Sequence, residues 1–387
     1  MLNQHISKIL PKITELRHTI HQNPELRYEE HATAALVVKT LTEFGYTDIK
    51  TGVGGTGVVA LLDSGKPGKT VALRADMDAL PIKEQTGLPY QSQNEGKMHA
   101  CGHDGHTATL LGVAYVLQQI KDKISGNIKL IFQPAEEGGA GAAAMIKDGA
   151  LTNPNVDAIF GYHNWPTLKA GVIGVRTACQ MASADRVEFT IHGKGGHAAM
   201  PHLAVDPIYI AASVITQLQS IISRMTSPTE PVVISVCQFN AGTAPNVIPE
   251  TAIFTATVRT TSHEGRAKVL ALIETLTKDI AKAYNASATI NIMEGYPPTI
   301  NHPNETELVR HTVRQHSGTE GLYELPTPIM PAEDFSFFLQ KVPGCYFFIG
   351  NGEQAPMCHD PRFNYNDTIL PMAMYMLCQT AINYLAQ

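Results

Sequence analysis

An α/β fold, with a central mostly parallel sheet flanked by helices and a smaller inserted ferredoxin-like α+β domain, is predicted by two rhythms and a length. Up to about residue 179 short apolar runs alternate with helical stretches, the pattern of a buried sheet covered by helices. Near residue 180 the pattern changes to strict period-two alternation, which marks half-exposed strands. At 387 residues the chain also exceeds what one ordinary core organises.

The elements follow in order. "MLNQHISKILPKITELRHTIHQ" spaces Ile6, Ile9, Leu10, Ile13, Leu16 and Ile20 as a helix does. "NPELRYEEHATAALVVKTLTEFGY" reads as a second helix stopped at Gly45. "GVVALLD" and "KTVALRAD" are long enough for buried strands and too short for helices. "HTATLLGVAYVLQQIKD" is a helix, "NIKLIFQPAEE" a strand, "AGAAAMIKDGAL" a helix and "VDAIFGYHN" a strand. Then "DRVEFTIHGKG" alternates, a helix runs from about Asp206 to Met225, and "PVVISVCQFNAG" and "ETAIFTATVRT" are strands. A helix from about His263 to Tyr284 and the strand "ASATINIMEG" complete a strand–helix–strand–strand–helix–strand unit, the order of the ferredoxin-like fold. The expected division is therefore a discontinuous domain of residues 1–179 and 295–387, interrupted by a second domain at 180–294.

Composition narrows the function classes. A formal net charge of −6 leaves no basic footprint for nucleic acid, and 44% hydrophobic with 17% charged residues is ordinary for a globular chain. No apolar run approaches the ~18 residues of a membrane span, and the N-terminus lacks a signal-peptide core. A cytoplasmic protein without nucleic-acid or membrane partners is expected. The six cysteines form no C-x-x-C pair, so free thiols are expected.

Four segments carry chemistry. In "MHACGHDGHTATLLG", Cys101 and His103 at i, i+2 point the same way from extended backbone. Asp104 is expected to cap a helix starting near Gly105, and His99 and His106 are expected to be structural or supporting. "FQPAEEGGAGA" sets adjacent Glu136 and Glu137 after a strand, where neighbouring carboxylates take different directions: one a ligand, one a general base. As first-turn acids they could equally favour a helix dipole. His163 closes the strand "DAIFGYHNWP", and His359 lies in the loop "GNGEQAPMCHDPRFNYND". Alone, the first cluster admits a metal site, a thiol nucleophile or a helix start. Together, a thiolate, a carboxylate and three imidazoles make a donor set suited to two divalent transition metals. One thiolate and one carboxylate against two dications leave about +2, which attracts a substrate carboxylate.

These segments, with "LRHTIHQNPEL", "RADMDALPI", "GKGGHAAMPH", "GTAPNVIPE" and "AEDFSFF", resemble the aminoacylase/carboxypeptidase family of dinuclear metallohydrolases. The branch in question holds hippurate hydrolases, N-acetyldiaminopimelate deacetylases and plant indole-acetyl-amino-acid hydrolases. The resemblance implies Cys101, His103, Glu137, His163 and His359 as metal ligands, Cys101 bridging, and Glu136 as the general base. Arg74 stands where the wider family has a ligating histidine, so His103 is read as replacing that imidazole and Asp76 as a supporting residue rather than a ligand. The inserted domain resembles the family's lid, which pairs subunits into a homodimer or higher homo-oligomer. There His197 resembles a residue that polarises the scissile carbonyl in a neighbouring subunit, and Asn246 and Arg259 resemble residues that hold the substrate carboxylate. The implied activity is hydrolysis of N-acyl-L-amino acids (acetyl, benzoyl or aryl-acetyl) with two divalent ions: zinc, manganese, nickel or cobalt. Exopeptidase action on dipeptides, with the same chemistry, is the alternative. His192 and His202 are left as structural.

Overall fold

The computed structural model describes residues 2–387, and these divide into two compact units. The larger comprises residues up to Gln180, Thr299–Thr327 and Asp334–Gln387; the smaller comprises Met181–Pro298 and Pro328–Glu333.

The larger unit is built on an eight-stranded sheet. Its strands run in the order Ile49–Val53, Gly57–Asp63, Asn127–Gln133, Thr70–Asp76, Ala158–Pro166, Gly344–Gly352, Ile173–Val175, Leu322–Glu324. The central pairings, from Asn127–Gln133 through Gly344–Gly352, are parallel, and antiparallel pairs flank them. Parallel strands need covered faces, and Thr70–Asp76 is buried at every position. On one face Leu2–Gln22, His103–Gln119 and Leu370–Leu385 pack against one another, the last two also against Thr70–Asp76. Ile128, Leu130 and Phe132 alternate into the core under these helices. The parallel register sets Asp76 beside Gln133 at the carboxyl ends of their strands, where open α/β sheets place their ligands.

The smaller unit is a four-stranded antiparallel sheet in the order Val232–Ala241, Thr251–Thr260, Ala184–His192, Ser287–Tyr296, with helices Pro207–Ser220 and His263–Ala283 packed against it. That order is the ferredoxin-like arrangement of the predicted unit. Along Ala184–His192 the alternation reads as burial, with Val187, Phe189 and Ile191 in this unit's own core. Asp206 accepts the N–H groups of Ile208 and Tyr209, and Ser262 that of Gly265, so both helices are capped by side chains.

Two local expectations fail. The helix near Gly105 begins two residues earlier, at His103, and its N-cap is Gly102 at φ 95°, with no side-chain cap. A Cβ at Gly102 would lie 2.1 Å from the Asn164 side chain, so both the left-handed backbone and the close approach call for glycine. Asp104 does not cap; it pairs with Arg17 and His21 of the first helix at 3.2 and 2.8 Å. His163 is interior to the strand Ala158–Pro166 rather than at its end. Among the described residues no helix is long and apolar enough to cross a membrane.

Candidate metal centre

Three connections deliver the donors. Strand Thr70–Asp76 ends in Asp76 and runs on to Asp78; the helix His103–Gln119 begins with His103 beside Cys101; strand Asn127–Gln133 leads into a tight turn bearing Glu136 and Glu137. His163 comes from the next strand, and His359 from a later loop whose N–H donates to the Ala100 carbonyl at 2.7 Å. Donor atoms of Cys101, His103 and His163 lie within 4.8 Å of one another, and so do those of Cys101, Glu137 and His359. The two triads share the Cys101 sulfur. His103, Glu136 and Glu137 form a further group within the same limit.

Hydrogen bonds decide which ring nitrogens are available. The Nδ1–H of His103 donates to the Asp78 carbonyl oxygen at 2.9 Å, and its fully buried Nε2 has no hydrogen-bond partner among the described residues. The Nδ1–H of His163 donates to the Asn164 carbonyl at 2.6 Å, leaving Nε2 3.3 Å from the Cys101 sulfur. Both imidazoles therefore turn an Nε2 lone pair into the cluster. His106 lies as close to Asp76 and His103, but both its nitrogens are used: Nδ1 donates to Asp76 Oδ1 at 2.6 Å and Nε2 accepts the Asn164 N–H at 3.1 Å. It supports the site and has no lone pair left for a cation.

The electrostatics ask for positive charge at the centre of this set. Contact with the Cys358 thiol, burial, and the carboxylates of Glu137 and Glu136 all push the Cys101 thiol well up. Burial works against a charged His103, yet Asp76, Asp78 and Glu137 outweigh it and draw positive charge onto the ring. His163 is held neutral by burial and by His106, the form in which imidazole ligates. Burial likewise opposes the Glu137 charge, and His359 and His103 more than restore it; His359 Nε2 stands 3.1 Å from Glu137 Oε1. A divalent cation would take the place of the proton held on Cys101 and of the positive charge drawn to His103, since a coordinated thiol deprotonates outright. The orphaned Nε2, the shared sulfur and the mixed sulfur, nitrogen and oxygen donors fit divalent transition metals.

Around the donors lies a second layer that sequence reasoning largely missed. Asp78 accepts the His103 Nδ1 at 3.2 Å through one oxygen and the Glu137 N–H at 2.9 Å through the other. Arg74, fully buried, donates to Asp76 at 2.6 Å, to Gln133 at 2.8 Å and to Asp334 at 3.0 Å. Asp334 also accepts from Gln133 and from the Ala142 N–H, while its own N–H donates to Glu136 Oε1 at 3.4 Å. Burial opposes ionisation of Asp76, but Arg74, His103 and His106 hold its carboxyl well below the usual range. The motifs "RADMDALPI" and "AEDFSFF" contain these residues; that Arg74 of the first pairs with Asp334 of the second, 260 positions on, is a tertiary fact.

Cys101, His103, Glu136, Glu137, His163, His359 and Asp76 are thus gathered in the larger unit. His197, Asn246 and Arg259 belong to the smaller one. There His197 is exposed and pairs with Val247, and the Ala198 N–H donates to the Asn246 carbonyl at 3.1 Å. Arg259 is half-buried on the Thr251–Thr260 strand opposite Val233.

Comparison with known proteins agrees with this geometry. The profile of peptidase family M20/M25/M40 matches residues 72–383. An N-acetyl-L-cysteine deacetylase of Bacillus subtilis is 40% identical over 376 residues, covering 97% of this chain and 89% of its own. A hippurate hydrolase of Campylobacter jejuni is 39% identical over 384 residues, covering 97% and 99%. The crystal structure of a dinuclear metal-binding M20 peptidase from Bacillus subtilis superposes with a TM-score of 0.86 at 33% identity, covering 98% of this chain and 99% of that one. The chain belongs to peptidase family M20/M25/M40, and its chemistry is the hydrolysis of amide bonds.

Proposed function

We propose that this protein is a two-metal amidohydrolase that cleaves N-acyl-L-amino acids to a carboxylic acid and a free amino acid. The observation that carries it is the pair of donor triads, Cys101/His103/His163 and Cys101/Glu137/His359, joined at one sulfur. Cys101, His103 and His163 would hold one ion, and Cys101, Glu137 and His359 the other. Two such ions supply a Lewis acid for the scissile carbonyl and lower the pKa of water toward about 7. Zinc suits the thiolate best, with manganese, nickel and cobalt set by availability.

The remaining steps belong to the chain's own groups. Glu136, 6% exposed and within reach of His103 and Glu137, takes the proton of the attacking water and delivers it to the amine nitrogen as the amide breaks. Asp76 fixes the His106 ring through Nδ1 and places its carboxylate 3.7 Å from His103 Nε2, supporting the donors without binding one. From the smaller unit, His197 polarises the carbonyl of a substrate bound in a neighbouring subunit, and Asn246 and Arg259 hold the substrate's free carboxylate. This makes the working form a homodimer or higher homo-oligomer. The acetyl and benzoyl amides cleaved by the relatives define the substrate class expected here.

A panel of acetyl, benzoyl and indole-acetyl amino acids beside dipeptides, run with each defined metal, tests the reading. N-acyl amino acids should be preferred; preference for dipeptides would make the enzyme an exopeptidase of the same chemistry, and activity surviving exhaustive chelation would remove the metals. Glu136→Gln should keep its metal and lose about 10²–10⁴-fold in kcat. Near-normal turnover in that metal-loaded variant would take the base role from Glu136.

A further inference from the structure

The N-terminal segment "NPELRYEE" supplies no metal donor, yet it holds the turn on which Glu136 and Glu137 sit. That turn is conformationally unusual: Ala135 (φ 54°) and Ala140 (φ 54°) are left-handed without being glycine, and Gly138 (φ 78°) lies between them. Left-handed residues with a Cβ are costly and persist where their surroundings impose them. Here the surroundings are residues 27–30. Glu30 is fully buried; its Oε1 accepts the Ala135 N–H and the Tyr28 N–H, both at 2.9 Å, and its Oε2 bonds the Thr56 hydroxyl. Arg27 donates to the Glu137 carbonyl at 3.0 Å, and the Tyr28 hydroxyl donates to the Gly139 carbonyl at 2.6 Å. Tyr28 is itself left-handed, at φ 63°. A buried carboxylate is costly, and burial pushes the Glu30 pKa up against the bonds from Thr56 and Ala135.

We propose that Glu30 is a positioning residue for amide cleavage: by accepting the N–H of Ala135 it fixes the left-handed entry to the turn, and so aims the Glu136 and Glu137 carboxylates. The same segment is tied to the other side of the centre, because the Ala79 N–H donates to the Glu25 carbonyl at 2.8 Å, one residue beyond Asp78. "NPELRYEE" therefore spans from the acid that orients His103 to the acids that act on water. The proposal rests on the roles given to Glu136 and Glu137 above.

The test compares wild type, Glu30→Ala, Glu30→Gln and Thr56→Val, each stripped of metal and titrated with Co²⁺, then assayed on N-acetyl amino acids. In Glu30→Ala one of the two Co²⁺ equivalents should weaken by about 10–100-fold, because Glu137 is no longer held. Its kcat at saturating metal should fall about 100-fold, the cost of roughly 1 Å of misplacement, with KM little changed. Glu30→Gln keeps an oxygen acceptor for both N–H groups and an N–H donor for Thr56, so it should recover most of both losses. Thr56→Val, which removes one partner and leaves Glu30 in place, should show a smaller loss in the same direction. A folded Glu30→Ala with wild-type Co²⁺ affinity and kcat would overturn the proposal. Should that variant not fold, Thr56→Val at wild-type affinity and kcat would overturn it as well. Equal losses in the Gln and Ala variants would also count against it, since a packing role alone predicts that. If wild type cleaves no amide on the panel, the functional reading fails separately, and the Co²⁺ titration still decides the role of Glu30.

Discussion

The chemistry of the centre turns on which atoms of each side chain are already committed. His106 and His103 stand on the same helix, three residues apart, and sequence spacing cannot rank them as ligands. What ranks them is hydrogen bonding: His106 has both nitrogens engaged, while His103 has Nε2 free and buried. Asp78 makes that distinction, since it takes up the Nδ1 side of His103 and fixes Nε2 as the outward lone pair. Because its second oxygen holds the Glu137 N–H, Asp78 joins a donor of one triad to a donor of the other. Asp78→Ala should therefore weaken both equivalents of metal by about 10–100-fold, where loss of a single ligand contact would weaken one. Isothermal titration of the metal-free variant with Zn²⁺ or Mn²⁺ measures this; two equivalents at wild-type affinity would reduce Asp78 to a packing residue. The acid pair Asp76 and Asp78 is visible in "RADMDALPI", but the family resemblance points only to Asp76.

At the scale of elements, the failed cap at Asp104 shows what local sequence rules leave out. An acid in the first turn of a helix is the expected capping signature, and it satisfies that helix alone. Asp104 instead joins two helices: it accepts from Arg17 and His21 of Leu2–Gln22, and Arg17 also donates to Asn364 and Asp367 in the segment that follows His359. A buried ionic contact between residues 83 and 87 positions apart has no signature in either helix read by itself. Its consequence is a dependence on pH. The groups facing His21 are Asp104, Glu84, Arg17, His99 and the Tyr90 ring. Burial lowers the His21 pKa and Arg17 opposes its charge, but Asp104 with help from Glu84 raises it to about 9. A pKa raised in the folded state means stability fully present below the ordinary value of 6.5 and lost as the pH rises through about 9. At about 1.4 kcal/mol per unit, the effect amounts to a few kcal/mol. The difference in unfolding free energy between wild type and His21→Gln, both at constant metal, should shrink between about pH 6 and pH 10. A constant difference over that range, measured by denaturant titration, would show that His21 is not charged in the folded protein.

At the scale of the whole molecule, the two units were legible for different reasons. The smaller one announced itself through period-two alternation, because its sheet has one covered face and each strand records that in its side chains. The larger one gave only short apolar runs, since strands buried on both faces carry no alternation. Their order in the sheet, with Gly344–Gly352 inserted between Ala158–Pro166 and Ile173–Val175, is set by pairing across more than 180 residues and cannot be read from any one segment. The same divide runs through the site: the candidate ligands came from motif types, whereas Glu30, Asp78 and Arg74 act through contacts that only folding creates. The division also sets a test of assembly. All the candidate metal donors and Glu136 lie in the larger unit, and His197 lies exposed in the smaller. If His197 serves a neighbouring subunit, Glu136→Gln and His197→Ala are defects in different halves of one composite site, and a mixed dimer repairs one site of its two. Each variant alone should be nearly inactive. After subunit exchange at equal amounts, random pairing makes half the dimers mixed, so activity should return to about a quarter of the wild-type level. Native mass spectrometry confirms the mixed dimer independently of activity. Mixed dimers without recovered activity would place His197 in service of its own subunit, and a protein that stays monomeric while fully active would remove the intersubunit role altogether.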